Sequence, residues 1–257
     1  MQNMARPITI SKEASCPCGS GKSFNECCEN KKHTYESLIV DEMGSSIIYD
    51  QTEIISAVKN LNTFISNRIS SETSNLAQSD ALRKLKRLYE KLGEALKPMW
   101  ASASCKEGCG QCCHLLVLTS QLEAQMIKEF IFSHYSEEKL KELTDKLNEH
   151  KDILNNISVN KDGSFSEEST KNYLSSKIPC AFLDENSRCM VYEARPFICR
   201  KYLVFNDPKV CSDLFSKTNQ YYSGYHSTVK NAIIKLNQLA YGSNYKYKHL
   251  LCWFIEN

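Results

Sequence analysis

Apolar residues recur at helical intervals along most of the chain. Between Thr52 and Ser70, the side chains of Ile54, Ile55, Val58, Leu61, Phe64, Ile65 and Ile69 fall on one helical face. A second helix is predicted from about Asp80 to Leu96, with Leu82, Leu85, Leu88, Leu92 and Leu96 inward, Ser79 and Asp80 at its start and Pro98 closing it. Ser120 and Glu123 stand three apart, the spacing of a capping box, ahead of Met126, Ile127, Phe130 and Ile131. Ser136 opens a further helix to about Asn156, carried by Leu140, Leu143, Leu147, His150 and Leu154. The last runs from about Tyr222 to Leu239 on Val229, Ile233, Leu236 and Leu239. Residues 157–178 are polar with an Asp162-Gly163 turn signal, which predicts a surface excursion with one short helix, and 241–257 read as aromatic and irregular. Alternating patterns are weak, so the expected fold is mainly α.

At 257 residues and 42% apolar content the chain can bury a real core. No apolar run is long enough to span a membrane and no export pattern opens the chain, so a cytoplasmic location is expected. A formal net charge of +2, from 32 basic and 30 acidic residues, creates no field that gathers nucleic acid or anionic lipid. One local exception is the outer face of the second helix, with Arg83, Lys84, Lys86, Arg87 and Lys91. Such faces are ordinarily just solvated, and no aromatic-rich RNA-binding string accompanies this one.

Thirteen cysteines change the picture. Cytosolic thiols are held reduced, and several of these are too close in sequence to bridge one another, so metal ligation is the better account. They form two groups, Cys16, Cys18, Cys27 and Cys28, then Cys105, Cys109, Cys112, Cys113, Cys180, Cys189, Cys199 and Cys211, with Cys252 alone.

In the first group, Cys16-Pro-Cys18-Gly-Ser-Gly-Lys-Ser-Phe-Asn-Glu-Cys27-Cys28 offers four thiols around a turn-forming Gly-Ser-Gly, the tight fold-back that a tetrahedral Zn²⁺ site requires. Phe24 is its one large hydrophobe, so metal binding is expected to supply the folding free energy, and the metal-free segment is expected to be disordered. Residues 14–31 resemble the SEC-C motif, a zinc-binding module with the pattern CxC, eight residues, then Cys followed by Cys or His. That resemblance implies a docking role toward a protein partner.

The second group opens with Cys105-Lys-Glu-Gly-Cys109-Gly-Gln-Cys112-Cys113, where Gly108 and Gly110 let the backbone wrap closely. It continues with Cys180-Ala-Phe-Leu and Cys189-Met-Val-Tyr-Glu-Ala-Arg195-Pro196-Phe-Ile-Cys199-Arg200, then Cys211. Residues 102–215 resemble the YkgJ-type CxxCxxCC family of zinc- or iron-chelating domains. The spacing from Cys105 to Cys109 has three intervening residues where the family signature has two, which weakens Cys105 as a ligand. His114 adjoins Cys113, but the eight cysteines already suffice.

Eight thiolates exceed one tetrahedral ion, leaving two zinc ions, an Fe–S cluster with spare thiols, or a cluster plus an ion. Soft thiolates argue against magnesium and calcium. Four thiolates on Zn²⁺ leave a charge of about −2, which needs nearby cations or donors. Arg195 and Arg200 are placed in sequence to act as that outer shell.

The expected organisation is a disordered 1–13, a zinc module at 14–32, a helical linker or hairpin at 33–98 and a helical cysteine-cluster domain at 99–257. The leading function is metal binding with a docking-type zinc module. One alternative is an enzyme, an Fe–S oxidoreductase or a lysine methylase-like protein, both of which the YkgJ resemblance admits. Another is an RNA- or ribosome-associated adaptor. No nucleotide loop or HExxH helix supports catalysis. Cys109 and Cys112 form a Cys-x-x-Cys pair, but without βαβ surroundings ligation is the better reading.

Overall fold

The computed structural model describes residues 5–39, 46–160, 164–205, 207, 211 and 223–255. The Asp162-Gly163 turn signal lies outside them. The chain divides into two compact units, Met1–Ser71 with Arg87–Lys106 and Lys201–Val229, and Glu72–Lys86 with Glu107–Arg200 and Lys230–Asn257. Eight α-helices and only short strands make up the described residues, a mainly α protein with a small N-terminal cysteine module.

The first unit carries an antiparallel sheet that hydrophobic patterning did not signal. Strand β1 (Arg6–Ile8) pairs with β2 (Tyr35–Ile39) in the register Arg6↔Ser37, and β2 pairs with β3 (Ser46–Asp50), Tyr35↔Asp50. The expectation of a disordered 1–13 is therefore corrected for Arg6–Ile8, because a partner strand some thirty residues later satisfies its backbone groups. Helix α1 (Gln51–Ile65) starts where Asp50 caps it, the N–H of Glu53 donating to Asp50 Oδ1 at 2.9 Å. The chain then widens into a single turn over Ser66–Ser70, where Ser71 N–H bonds Ser66 O, while Leu61, Ile65 and Ile69 stay buried.

Helix α2 (Gln78–Trp100) buries Leu82, Leu85, Leu88, Leu92 and Leu96 as predicted but runs past Pro98. Pro98 stands in the last turn of α2, where its missing N–H leaves one backbone carbonyl of the helix without its donor. The basic face of α2 is paired: Arg83 with Asp80, Lys84 with Glu72, Lys86 with Glu129, Arg87 with Glu90 and Lys91 with Glu94. Each of these five cations lies beside a carboxylate, as on an ordinary solvated helix face.

In the second unit, β4 (Leu118–Ser120) leads into α3 (Gln121–His134), followed by α4 (Glu137–Glu149) and α5 (Lys151–Asn155). The helix expected from Ser136 to Asn156 is thus broken at His150, whose φ of −114° and ψ of 10° leave the helical region. Leu143, Leu147 and Leu154 are buried all the same. Helix α6 (Glu167–Ser176) is the short helix of the polar excursion, α7 (Phe197–Lys201) carries Cys199, and α8 (Tyr225–Tyr241) precedes β5 (Tyr247–His249). Strand β5 pairs with β4, Leu118↔His249, in a segment whose pattern had read as irregular.

His249 is 2% exposed, its ring set between Phe165 and Tyr173, and its Nδ1 makes no hydrogen bond. Burial depresses its pKa from 6.5 to about 3. The unfolded chain takes up a proton near pH 6.5 and the folded chain only near 3, so stability is lost as pH falls through that window. Between pH 7.5 and 5.5 the protein should lose about 1.4 kcal/mol more than His249→Phe. Urea midpoints at the two pH values check this, and equal losses would refute it.

Candidate metal centres

The N-terminal centre is built on two short turns. Cys16 N–H bonds Lys22 O at 2.9 Å, Phe24 N–H bonds Ala14 O at 2.8 Å, and Cys28 N–H bonds Phe24 O at 3.0 Å, closing the thirteen-residue segment on itself. Gly19 and Gly21 sit at φ of +76° and +75°, and a Cβ on Gly19 would come within 3.0 Å of Ala101 Cβ. The four sulfurs lie within 4.8 Å of one another. Sγ of Cys18 is 3.4 Å from Cys16 and 3.5 Å from Cys27, and Cys27 is 3.8 Å from Cys28. Bonds of about 2.3 Å to a tetrahedral ion set sulfurs about 3.8 Å apart, whereas a disulfide needs about 2.05 Å. The spacing is that of a ligand shell.

Burial sorts the four thiols. It raises Cys16 and pushes Cys28 up to about 12, whereas the Ser20 hydroxyl leads in lowering exposed Cys18 to about 6. Phe24, Cys16 and Cys28 share a core with Tyr35 of β2, whose ring meets Phe24 edge-on at 5.3 Å. Phe24 remains the one large hydrophobe of the segment itself, and Tyr35 from β2 extends its core, so the cysteine segment is packed on the sheet.

A second set of ligand atoms, from His33, Asp50 and Glu53, also lies within 4.8 Å. Each is already used: Asp50 Oδ1 caps α1, Asp50 Oδ2 meets His33 Nδ1 at 2.7 Å, and Glu53 pairs with Lys31 at 3.3 Å. The positive end of α1 also repels a cation, so this is a capping network.

Six cysteines of the larger group fall in the second unit. A single tight turn over Gln111–His114 carries Cys112 and Cys113, and Gly110 is close enough to Ser187 that an added Cβ would sit 3.3 Å from its Cβ. Cys180 N–H bonds Cys113 O at 2.8 Å, joining the two halves of the group. Cys189 is held by a bridge to Leu183, by Met190 N–H on Phe182 O and by the Tyr135 hydroxyl on Met190 O. Cys199 is placed by Glu123. That buried carboxylate accepts Phe197 N–H on Oε1 at 2.8 Å, and Ser120 N–H and Oγ on Oε2 at 2.9 and 2.8 Å. The predicted capping box is thus present, and the same glutamate also anchors α7. Sequence spacing revealed only the first of these roles.

Cys112, Cys180, Cys189 and Cys199 lie close enough that the charge on one disfavours charge on another. Burial raises Cys180, Cys189 and Cys199, and Cys112 is raised first by its hydrogen bond to Cys113. A Cys-x-x-Cys nucleophile needs a depressed thiol, and Cys112 is shifted the opposite way. Opposing that rise, the Arg195 guanidinium favours charge on Cys112, Cys189 and Cys199. Arg195 stacks 3.9 Å over Tyr192, and its buried Nε has no hydrogen-bond partner. Arg200 donates from Nε to the Arg195 carbonyl at 2.7 Å and from Nη2 to the Glu193 carbonyl, bracing the loop that presents Arg195.

Cys105 and Cys211 fall in the first unit, where Val204 N–H donates to Cys105 Sγ at 3.3 Å. His114 Nδ1 faces Lys177 O at 3.3 Å, and Cys252 donates to Leu154 O. None of the thirteen cysteines forms a disulfide. Among the described residues, no helix is long and apolar enough to cross a membrane.

Clusters of reduced thiols at this density define a metal-binding cysteine-cluster protein. Residues 104–221 match the family model described as "CxxCxxCC: Putative zinc- or iron-chelating domain", and over that stretch the chain is similar to this domain family. No curated protein and no solved structure matches the chain.

Proposed function

We propose that the chain is a two-centre thiolate metalloprotein of the cytosol. Cys16, Cys18, Cys27 and Cys28 hold Zn²⁺. Cys109, Cys112, Cys113, Cys180, Cys189 and Cys199 hold zinc or an Fe–S cluster. Residues 14–32, which resemble the SEC-C module, dock the YkgJ-like region to a protein partner. The observation that carries the reading is the sulfur spacing of 3.4 to 3.8 Å in the N-terminal centre. At the larger centre the support is Arg195, a guanidinium set among thiols with Nε unpaired, where thiolates on a metal supply the opposing charge. Metal binding would also release the protons that burial keeps on Cys180, Cys189 and Cys199.

The test is anaerobic purification with zinc, iron and acid-labile sulfide counted per chain, for the full-length protein, Cys28→Ser and Cys199→Ser. Substitution is preferable to deleting residues 1–33, which would strip β1 and uncover Tyr35. Cys28→Ser should remove about one zinc and leave the rest. Cys199→Ser should lose metal from the other centre only. Iron with sulfide and a brown chromophore makes the larger centre an Fe–S site; zinc alone makes it a zinc site. Full-length protein that holds no metal refutes the reading.

A further inference from the structure

We infer that Tyr35, which lies outside the cysteine segment, belongs to the N-terminal centre: its phenol donates an O–H···S hydrogen bond to the metal-bound Cys28 thiolate. The inference rests on the reading that these four cysteines hold a metal, and it adds a positioning residue from β2.

The geometry points to this role. Tyr35 is 6% exposed and Cys28 2%, in one core with Cys16 and Phe24 and with Ile10, Cys27 and Ile48 packed against it. Its hydroxyl is buried without a hydrogen-bond partner, although buried hydroxyls are nearly always paired. Asp50, opposite Tyr35 in the β2–β3 register, takes Glu53 N–H and His33 Nδ1 and no hydrogen bond from the phenol. The sulfur of Cys28 is near enough to help burial and Asp50 raise the phenol's pKa.

A neutral thiol is a weak acceptor, whereas a thiolate is a strong one. The phenol therefore gains its partner when metal binding deprotonates Cys28. Four thiolates on a divalent ion carry a charge of about −2, and outer donors must hold it. Cys27 has such a donor in Ser20 Oγ at 3.2 Å. Cys28, the most deeply buried of the four, has Tyr35. Metal binding is in this way coupled to the sheet as well as to the turn segment.

The test is Tyr35→Phe in the full chain loaded with ¹¹³Cd, which keeps the ring against Phe24 and removes only the hydroxyl. The N-terminal cadmium resonance is identified by its loss in Cys28→Ser. In Tyr35→Phe that resonance should shift while any others stay in place, and chelator competition read on it should show about 10- to 100-fold weaker binding. A purely structural tyrosine predicts an unmoved resonance and unchanged affinity, and that result overturns the proposal. If wild-type protein shows no resonance that Cys28→Ser removes, the four-cysteine reading fails first and this inference falls with it.

Discussion

Removing the metal from the N-terminal centre should unravel residues 11–32 while the helices stay folded. Ordering backbone costs about 1–2 kcal/mol per residue, and a fully buried large side chain returns about 1.5–3 kcal/mol. Phe24 and Tyr35 are the only aromatic side chains in this core, and the segment's backbone bonds are a few isolated turns. Structural zinc contributes about 10–16 kcal/mol in comparable small modules, which is the largest single term available. Amide hydrogen exchange on Cys16, Phe24 and Cys28 checks the expectation. Protection there should collapse with chelator or in Cys28→Ser, while Leu61 in α1 and Leu88 in α2 remain protected. Protection that survives metal removal would mean that the sheet and Tyr35 fold the segment alone.

Glu123→Ala should be the most damaging single change outside the cysteines, at about 3–5 kcal/mol. Three donors lose their acceptor at once: the N–H of Phe197, and the N–H and Oγ of Ser120. The site is buried, so water cannot readily replace the carboxylate. Other contacts at the start of α3 survive, since Leu122 N–H still bonds Asn237 Oδ1 at 3.0 Å and Gln121 N–H bonds Lys246 O. The injury should therefore focus on α7 and Cys199. Urea unfolding combined with metal counting separates the effects: on the proposed reading, stability should fall and the larger centre should lose metal, with any metal of the N-terminal centre retained. Glu123→Gln, which keeps one acceptor oxygen, should cost roughly half as much. A loss under about 1 kcal/mol for Glu123→Ala would show that the carboxylate does not brace the site.

The basic face of α2, read from the sequence as a solvated helix face, pairs with Glu72 and Glu129 from elsewhere in the chain and with Asp80, Glu90 and Glu94 from the helix itself. Only the partners within the helix were legible at the spacing of three residues.

The sequence by itself determined the helices, because a 3.6-residue period and caps such as Ser120 with Glu123 are local properties. It also pointed to metal binding, since twelve of thirteen cysteines gathered in two groups have few other physical uses. It did not determine the sheet, whose strands are three to five residues long and whose register is set by partners distant in sequence. The break at His150 and the continuation of α2 through Pro98 are likewise not written in the local pattern. Tyr35 at the cysteines carries no spacing that marks it, and the spacing from Ser120 marks Glu123 only as a cap, not as the anchor of Phe197 and α7. Glu123 acts on Phe197, 74 residues along the chain, and Tyr35 packs on the cysteine segment from a separate strand, so only the folded structure brings these groups within reach.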